Sequence, residues 1–300
     1  MPMDAHPSNY AVARDRTVLH AWAETRGLVG RHTAASRLVR LRAADGTRLE
    51  ASLLPGPTNG GTGGTDKPAV VLLHGFSAHR RKPRYAWLAD ELATRFTVLA
   101  PDLRGHGTSG GTSGLGSTEH HDVAAAVDHL RHRGHGWIAV VGVSMGATSA
   151  AHAAVRGVTR DATVLVSGPG WIELEPTSRP MQQLRAVWRS SAGRGALRAT
   201  TGVRVQHPDR WTAPPDPADA VRQLDSPLLV VHGTDDHYFS IAHAEAVAGA
   251  ADSAVLWREP TFGHAEDGFV DPFGRRLTDA LRHVHVHGTF PAREASPWLS

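Results

Sequence analysis

The chain has 300 residues, 41% of them hydrophobic, with 32 Lys and Arg against 29 Asp and Glu and a formal net charge of +3. That length and balance suit one α/β body with a large buried core, and the weak, scattered positive charge, mostly arginine, argues against a nucleic-acid partner. The absence of cysteine excludes disulfides, thiolate nucleophiles and Cys-ligated metals.

Met1 to Arg16 mixes Asp, Arg, His and Pro and lacks the apolar run of a signal peptide. No stretch approaches the length of a membrane span, so a cytoplasmic protein is expected. Residues 8–30 carry Val12, Leu19, Trp22 and Leu28 at loosely helical spacing, which predicts an N-terminal helical segment within 1–36. Arg37 to Leu41 and Thr47 to Leu54 alternate apolar and polar around Asp45-Gly46 and predict an antiparallel hairpin at a sheet edge. Pro55 to Pro68, dense in Gly, Thr and Pro, reads as a flexible surface connection.

From Ala69 the rhythm changes. Val70 to Leu73, Phe96 to Ala100, Trp137 to Val141 and Ala162 to Val166 read as strands, alternating with helices over Arg84 to Thr94, Thr118 to His132 and Ala147 to Arg156. Such alternation predicts a parallel sheet covered on both faces, with the site built by loops beyond the strands' carboxyl ends. After Gly168-Pro169-Gly170 the alternation stops. Trp171 to Leu224 carries Met181, Leu184, Val187 and Trp188 at helical spacing and many arginines, and is read as a helical cap inserted over the site. Trp171, Met181, Leu184 and Trp188 are therefore the candidate substrate-binding residues. A strand at Leu228 to His232, a helix at Ile241 to Ala250, a strand at Ala254 to Trp257 and a helix at Arg275 to His283 complete the core, and 284–300 reads as an irregular surface tail.

The stretch with chemistry in it is Gly142-Val143-Ser144-Met145-Gly146, between a buried strand and an alanine-rich helix. A serine on so sharp a strand-to-helix turn needs glycines two residues either side, because side chains there would collide. Its hydroxyl then stands above the sheet's carboxyl edge, over the N-terminus of the new helix. Gly107 to Gly111 matches the same pattern around Ser109, but no helix follows directly, so it reads as a loop. A serine hydroxyl needs a base and an acid to orient that base. Asp235 and Asp236 follow one late strand and His264 the last, giving the chain order Ser, Asp, His.

His74-Gly75-Phe76, Pro101 to Ser109, Gly142 to Gly146, His232 to Asp236 and Gly263-His264, in that order, resemble the α/β-hydrolase superfamily, and within it the esterase, monoacylglycerol-lipase and serine-aminopeptidase-like group. The resemblance covers about Arg37 to His283. It implies a mostly parallel twisted sheet with helices on both faces, over 37–170 and 225–283, with the cap at 171–224. It also implies Asp236 as the acid, with Asp235 the runner-up, His264 as the base, and the Phe76 and Met145 amides as oxyanion donors.

The expected activity is hydrolysis of a carboxylic ester through an acyl enzyme, on a small-molecule acyl substrate and without cofactor or metal. An acyltransferase, thioesterase or cyclase would use the same triad, and a non-catalytic ligand-binding member of the fold is the reading from another class. Within the signature after the second parallel strand, Asp102 and His106 are expected to shape the turn. The His79-Arg80-Arg81-Lys82 run reads as a solvated loop edge, and the alternating His283, His285 and His287 as a weak metal candidate on one strand face.

Overall fold

Runs of five or six apolar, largely β-branched residues fill the centre of an eight-stranded sheet, because strands buried on both faces have no position for a polar side chain. The computed structural model describes residues 29–57, 67–260 and 262–293. The strands are β1 (Arg37–Arg42), β2 (Arg48–Leu54), β3 (Ala69–Leu73), β4 (Thr97–Pro101), β5 (Ile138–Val143), β6 (Ala162–Val166), β7 (Leu228–Gly233) and β8 (Ala254–Glu259). Their order is β1-β2-β4-β3-β5-β6-β7-β8. β1 pairs antiparallel with β2 and β2 with β4, and every later pair is parallel.

The helices are α1 (Pro83–Ala93), α2 (His120–His132), α3 (Met145–Val155), α4 (Arg179–Arg189), α5 (Ser191–Thr201), α6 (Pro217–Ala220), α7 (Ile241–Gly249) and α8 (Asp271–His287). Strand alternation sorts the core into two layers. Val70 and Leu72 join Leu88 and Leu92 of α1 and Phe273 and Leu277 of α8 on one face. Val71 and Leu73 join Val123 and Leu130 of α2, Ala150 of α3 and Val247 of α7 on the other. Each such Leu, Val or Phe contributes about 1.5–3 kcal/mol by leaving water. Because β3 lies between β4 and β5, the chain first moves to one side of β3 and later returns to the other. The loops after β3 and β5 therefore part company and leave a crevice at the carboxyl edge.

The expected hairpin, with its turn at Gly46 (φ +84°), and the alternating parallel strands are present. The structure departs from the sequence reading in the last helix and the tail after it, and at Arg80. The expected N-terminal helix over 8–30 lies almost entirely outside the described residues, as do 58–66 of the surface connection and 294–300 of the tail. The last helix does not stop at His283 but runs to His287, capped by Gly288 at φ +76°. Val284 and Phe290 are buried in the core and Trp257 Nε1 donates to the Pro291 carbonyl (3.1 Å), so 284–293 packs as part of the body.

On a helix the three tail histidines cannot share a face. His283 meets His287 one turn on (ring centroids 4.3 Å apart), whereas His285 turns inward against Trp137 (4.8 Å). Lastly, Arg80 is no solvated edge: it is buried and paired with Asp102.

The β5–α3 junction leaves no room for side chains on its two glycines. Ser144 sits at φ +52°, ψ −114°, a left-handed conformation that costs a non-glycine residue of order 1–3 kcal/mol, and its N–H is held by the Val166 carbonyl at 2.9 Å. A Cβ on Gly142 would lie 2.4 Å from the Gly146 carbonyl oxygen, and one on Gly146 would lie 2.7 Å and 2.8 Å from the carbonyl oxygens of Leu73 and His74. All of these are main-chain atoms, so the clash cannot be relieved by a rotamer change. Gly146→Ala is expected to destabilise the protein by about 1–3 kcal/mol, read as a lower urea midpoint. Gly195→Ala, in the exposed middle of α5 with nothing within 4 Å, is expected to raise stability by about 1 kcal/mol in the same assay.

Candidate active site

The turn after β5 presents Ser144 Oγ at the crevice, and His264 Nε2 lies 3.0 Å from it. His264 is carried by the segment after β8, where its main-chain N–H donates to the Asp267 carboxylate (3.2 Å), fixing the start of a short 3₁₀ turn over Ala265–Gly268. On the other side of the imidazole, Nδ1 meets Asp236 Oδ2 at 2.8 Å.

The Asp236 carboxylate is fully buried and accepts from the main-chain N–H groups of Tyr238 (2.8 Å) and Phe239 (3.1 Å). Asp235 is exposed and, among the described residues, its carboxylate accepts only from the Thr234 hydroxyl (3.4 Å), so the geometry distinguishes the two candidate acids. Tyr238 packs on the His264 ring at a tilt (4.3 Å, 34°) and Phe239 meets it edge-on (5.7 Å). His232, buried on β7, donates from Nε2 to the Phe239 carbonyl (2.9 Å) and so braces the loop that carries Asp236.

The opposite wall is the loop after β3. His74 Nδ1 donates to the Gly75 carbonyl (2.8 Å) while its Nε2 accepts from Leu103 N–H (2.9 Å). His106 Nδ1 donates to the Arg104 carbonyl (2.9 Å) and its Nε2 accepts from Ser77 N–H (3.3 Å). Each ring thus has one donor and one acceptor nitrogen, which fits only the neutral form. Burial pushes His74 down to about 3 and His106 down to about 4.

Asp102 holds the same loop. Burial would raise its carboxyl, but the Arg80 guanidinium and the Thr108 and Arg80 amides outweigh burial and leave it below its usual range. Ser109, in the second serine pattern, is buried, accepts from Glu50 N–H (2.9 Å) and donates to the Asp102 carbonyl (2.6 Å). That serine pins the loop to β2, as its loop reading implies. Among the described residues, the amides of Phe76 and Met145 have no hydrogen-bond acceptor.

A cleft of about 340 Å³ joins these walls, and Gly75, Phe76, Tyr85, Ser144, Tyr238 and His264 are among its lining residues. Its lining includes none of the four residues expected to contact substrate. Trp171 is stacked on His243 (3.7 Å), at the start of α7, and Trp188 is occupied by the Gln206 carbonyl (2.9 Å) and the Trp211 ring (5.2 Å). Met181 and Leu184 are half-buried within α4.

Helical spacing sets which residues share a face of α4 and leaves open which surface that face meets. The cleft residues missed from sequence are Tyr85, His237, Tyr238, Glu266 and Asp267. Tyr85 was hidden because 85, 88, 89 and 92 form an ordinary core stripe on α1. Tyr238 could have been inferred from its place two residues after Asp236. Among the described residues, no group of three or more His, Asp or Glu side chains could hold a metal ion, and no helix is long and apolar enough to cross a membrane.

A sequence model of the alpha/beta hydrolase family matches residues 70–293. The chain belongs to that family. It is 25% identical over 252 residues to a pimeloyl-[acyl-carrier protein] methyl ester esterase of Chromobacterium violaceum, across 73% of this chain and 94% of that protein. Among solved structures it resembles an esterase of Pyrococcus furiosus (TM-score 0.64, 20% identity, 85% of this chain and 96% of that one). It also resembles an esterase of Rhodococcus sp. ECU1013 (TM-score 0.58, 22% identity, 84% and 99%). At these identities the two structures speak for the shared fold. This alpha/beta hydrolase thus places the crevice where its sheet order reverses, with the serine, histidine and aspartate drawn from three separate strand ends.

The two buried histidines give the wall a pH dependence with a definite sign. In the unfolded chain a histidine titrates near 6.5, whereas in the fold His74 and His106 stay neutral down to about 3 and about 4. Between these limits the unfolded state binds protons that the folded state refuses, so the contribution is intact above pH 6.5 and is lost as pH falls. Each residue should lower the unfolding free energy by about 2 kcal/mol between pH 6.5 and pH 5. Urea titrations at the two pH values measure this loss, and His74→Gln should remove about half of it while lowering stability at pH 7.

Proposed function

We propose that this alpha/beta hydrolase cleaves a carboxylic ester through an acyl-enzyme intermediate on Ser144. The observation that carries this reading is the hydrogen-bonded series Ser144 Oγ, His264 Nε2 (3.0 Å), His264 Nδ1, Asp236 Oδ2 (2.8 Å). In this reading Ser144 Oγ attacks the ester carbonyl as His264 Nε2 takes its proton. Asp236 holds Nδ1–H, sets the tautomer and stabilises the imidazolium. The Phe76 and Met145 amides, free among the described residues, receive the developing oxyanion. His264 returns the proton to the leaving alkoxide, and a water molecule, deprotonated by the same imidazole, releases the acid.

Support comes also from the esterase relative and from a cleft lined by Ser144, His264 and the aromatic side chains of Phe76 and Tyr238. Ser144→Ala is expected to abolish turnover of p-nitrophenyl acetate and labelling by a fluorophosphonate, with the fold unchanged by circular dichroism. Asp236→Asn should keep KM and lower kcat by about 10⁴-fold, since an amide favours the wrong tautomer of His264. Wild-type kcat in either variant overturns the proposal.

A second reading concerns how the acyl chain is delivered. The Chromobacterium relative's name specifies an acyl-carrier-protein ester. In the present chain, residues 179–201 hold Arg179, Arg185, Arg189, Arg194 and Arg198 and no Asp or Glu, and although Arg185 is paired with Glu175 the stretch carries a net positive charge suited to an anionic carrier. Under this reading kcat/KM for a carrier-bound methyl ester exceeds that for the free methyl ester, and falls with added salt while the free ester's does not. Equal values at all ionic strengths exclude it.

A further inference from the structure

The proposed oxyanion donor Phe76 lies on a loop, and loops do not aim amides by themselves. The planes of two successive peptides decide where its N–H points. The first plane, between His74 and Gly75, is held by Tyr85: Gly75 N–H donates to Tyr85 Oη at 3.0 Å. In the second plane, between Gly75 and Phe76, the Gly75 carbonyl accepts from His74 Nδ1–H (2.8 Å) and from Ala78 N–H (3.2 Å). In a trans peptide the carbonyl and the following N–H point in opposite directions. Holding the Gly75 carbonyl toward His74 and Ala78 therefore sends Phe76 N–H the other way, and Phe76 lines the cleft together with Ser144. The spacing is close on both sides: a Cβ on Gly75 would lie 3.2 Å from Ser144 Cβ and 3.2 Å from Tyr85 Oη.

We propose that Tyr85 is a positioning residue for the reaction, its hydroxyl fixing the Gly75 amide so that the next amide, of Phe76, is aimed at the oxyanion formed on Ser144. This rests on the acyl-enzyme reading above. Pro83 at the first position of α1 sets the helix start, and Tyr85 follows in its first turn, almost fully buried. Burial first, and then the Glu266 carboxylate, push the Tyr85 hydroxyl well above its usual range, so it stays protonated. Lys82 pairs with Glu266, two residues after His264, and so ties the loop before α1 to the segment carrying the base. The ring itself packs edge-on against Phe269 (5.4 Å) and His74 (6.4 Å), contacts that a phenylalanine would keep.

The test is Tyr85→Phe, assayed beside the wild type and Ser144→Ala with p-nitrophenyl acetate and with an aryl trifluoromethyl ketone, whose adduct with a serine carries an oxyanion. Loss of the anchor should lower kcat about 10- to 100-fold, less than deletion of a donor but in line with a misplacement of about 1 Å. KM should stay within about twofold. The ketone's Ki should rise by the same factor as kcat falls, with an unchanged melting midpoint. A residue that only fills space would not move Ki and kcat together at constant KM.

Glu266→Gln, which keeps the shape and removes the charge next to the hydroxyl, should give a smaller loss of the same kind. If Tyr85→Phe keeps wild-type kcat and Ki, or loses activity only in step with its melting midpoint, the inference is wrong and the ester-hydrolase reading stands. If Ser144→Ala retains turnover, that reading falls, whatever Tyr85 does.

Discussion

The approach of Gly146 to the carbonyls of Leu73 and His74 sets the geometry of everything above it. At that contact the first turn of α3 is pressed against the end of β3 with no room for a methyl group. The chain between β5 and α3 has then only one way to turn, and Ser144 is left at φ +52°. Strain of that size persists because the surroundings overdetermine it. β5 is buried along its whole length, Ser144 N–H is tied to β6 through Val166, and α3 is buried for nine of its eleven residues. The same contact brings the loop after β3 beside Ser144, so the Ser144 turn and the facing amides are positioned by one close approach.

What faces Ser144 across the crevice is held by a different kind of force. The wall formed by 74–80 and 102–109 is built from buried polar groups whose hydrogen bonds are nearly all internal: two neutral imidazoles, the Asp102 carboxylate and the Arg80 guanidinium. Such a network adds little net stability over an apolar core, because desolvation offsets most of the attraction. Its value is direction. An apolar contact tolerates rotation of a peptide plane, whereas a donor and an acceptor on fixed rings do not. This accounts for polar residues in a place where burial alone would favour leucine.

Sequence reasoning captured the parts governed by short-range rules. Alternating strands and helices and the glycines around Ser144 are local patterns with steric causes. What it could not supply depends on contacts between distant segments. Arg80 reads as a surface cation until Asp102 is seen to lie beside it, 22 residues on. Tyr85 reads as core because its ring is core, and only its hydroxyl, pointing at Gly75, is not. The helical spacing of Met181, Leu184 and Trp188 is real, but spacing fixes which residues share a face and not what that face covers. The tail histidines failed for a related reason, since alternation in sequence implies a common face only on a strand.

The insertion between β6 and β7 is attached to the body in a way that sets it apart from the site. It returns through a short parallel pairing, with Ser113 N–H to the Arg204 carbonyl (2.7 Å) and Gln206 N–H to the Ser113 carbonyl (2.8 Å), and through Trp211 Nε1 to the Gly114 carbonyl (2.7 Å). These contacts fall on the loop between β4 and α2, and neither α4 nor α5 buries a single residue fully. Changes on the hairpin can therefore alter its charge or tilt without disturbing Ser144, Asp236 or His264, whose supports all lie at strand ends. In a body arranged this way the Ser144, His264 and Asp236 cluster and the helical hairpin rest on separate sets of contacts. The supports of the first lie at strand ends inside the core, whereas α4 and α5 bury no residue fully and the insertion enters the core further along the chain, through Ala220 and Val221.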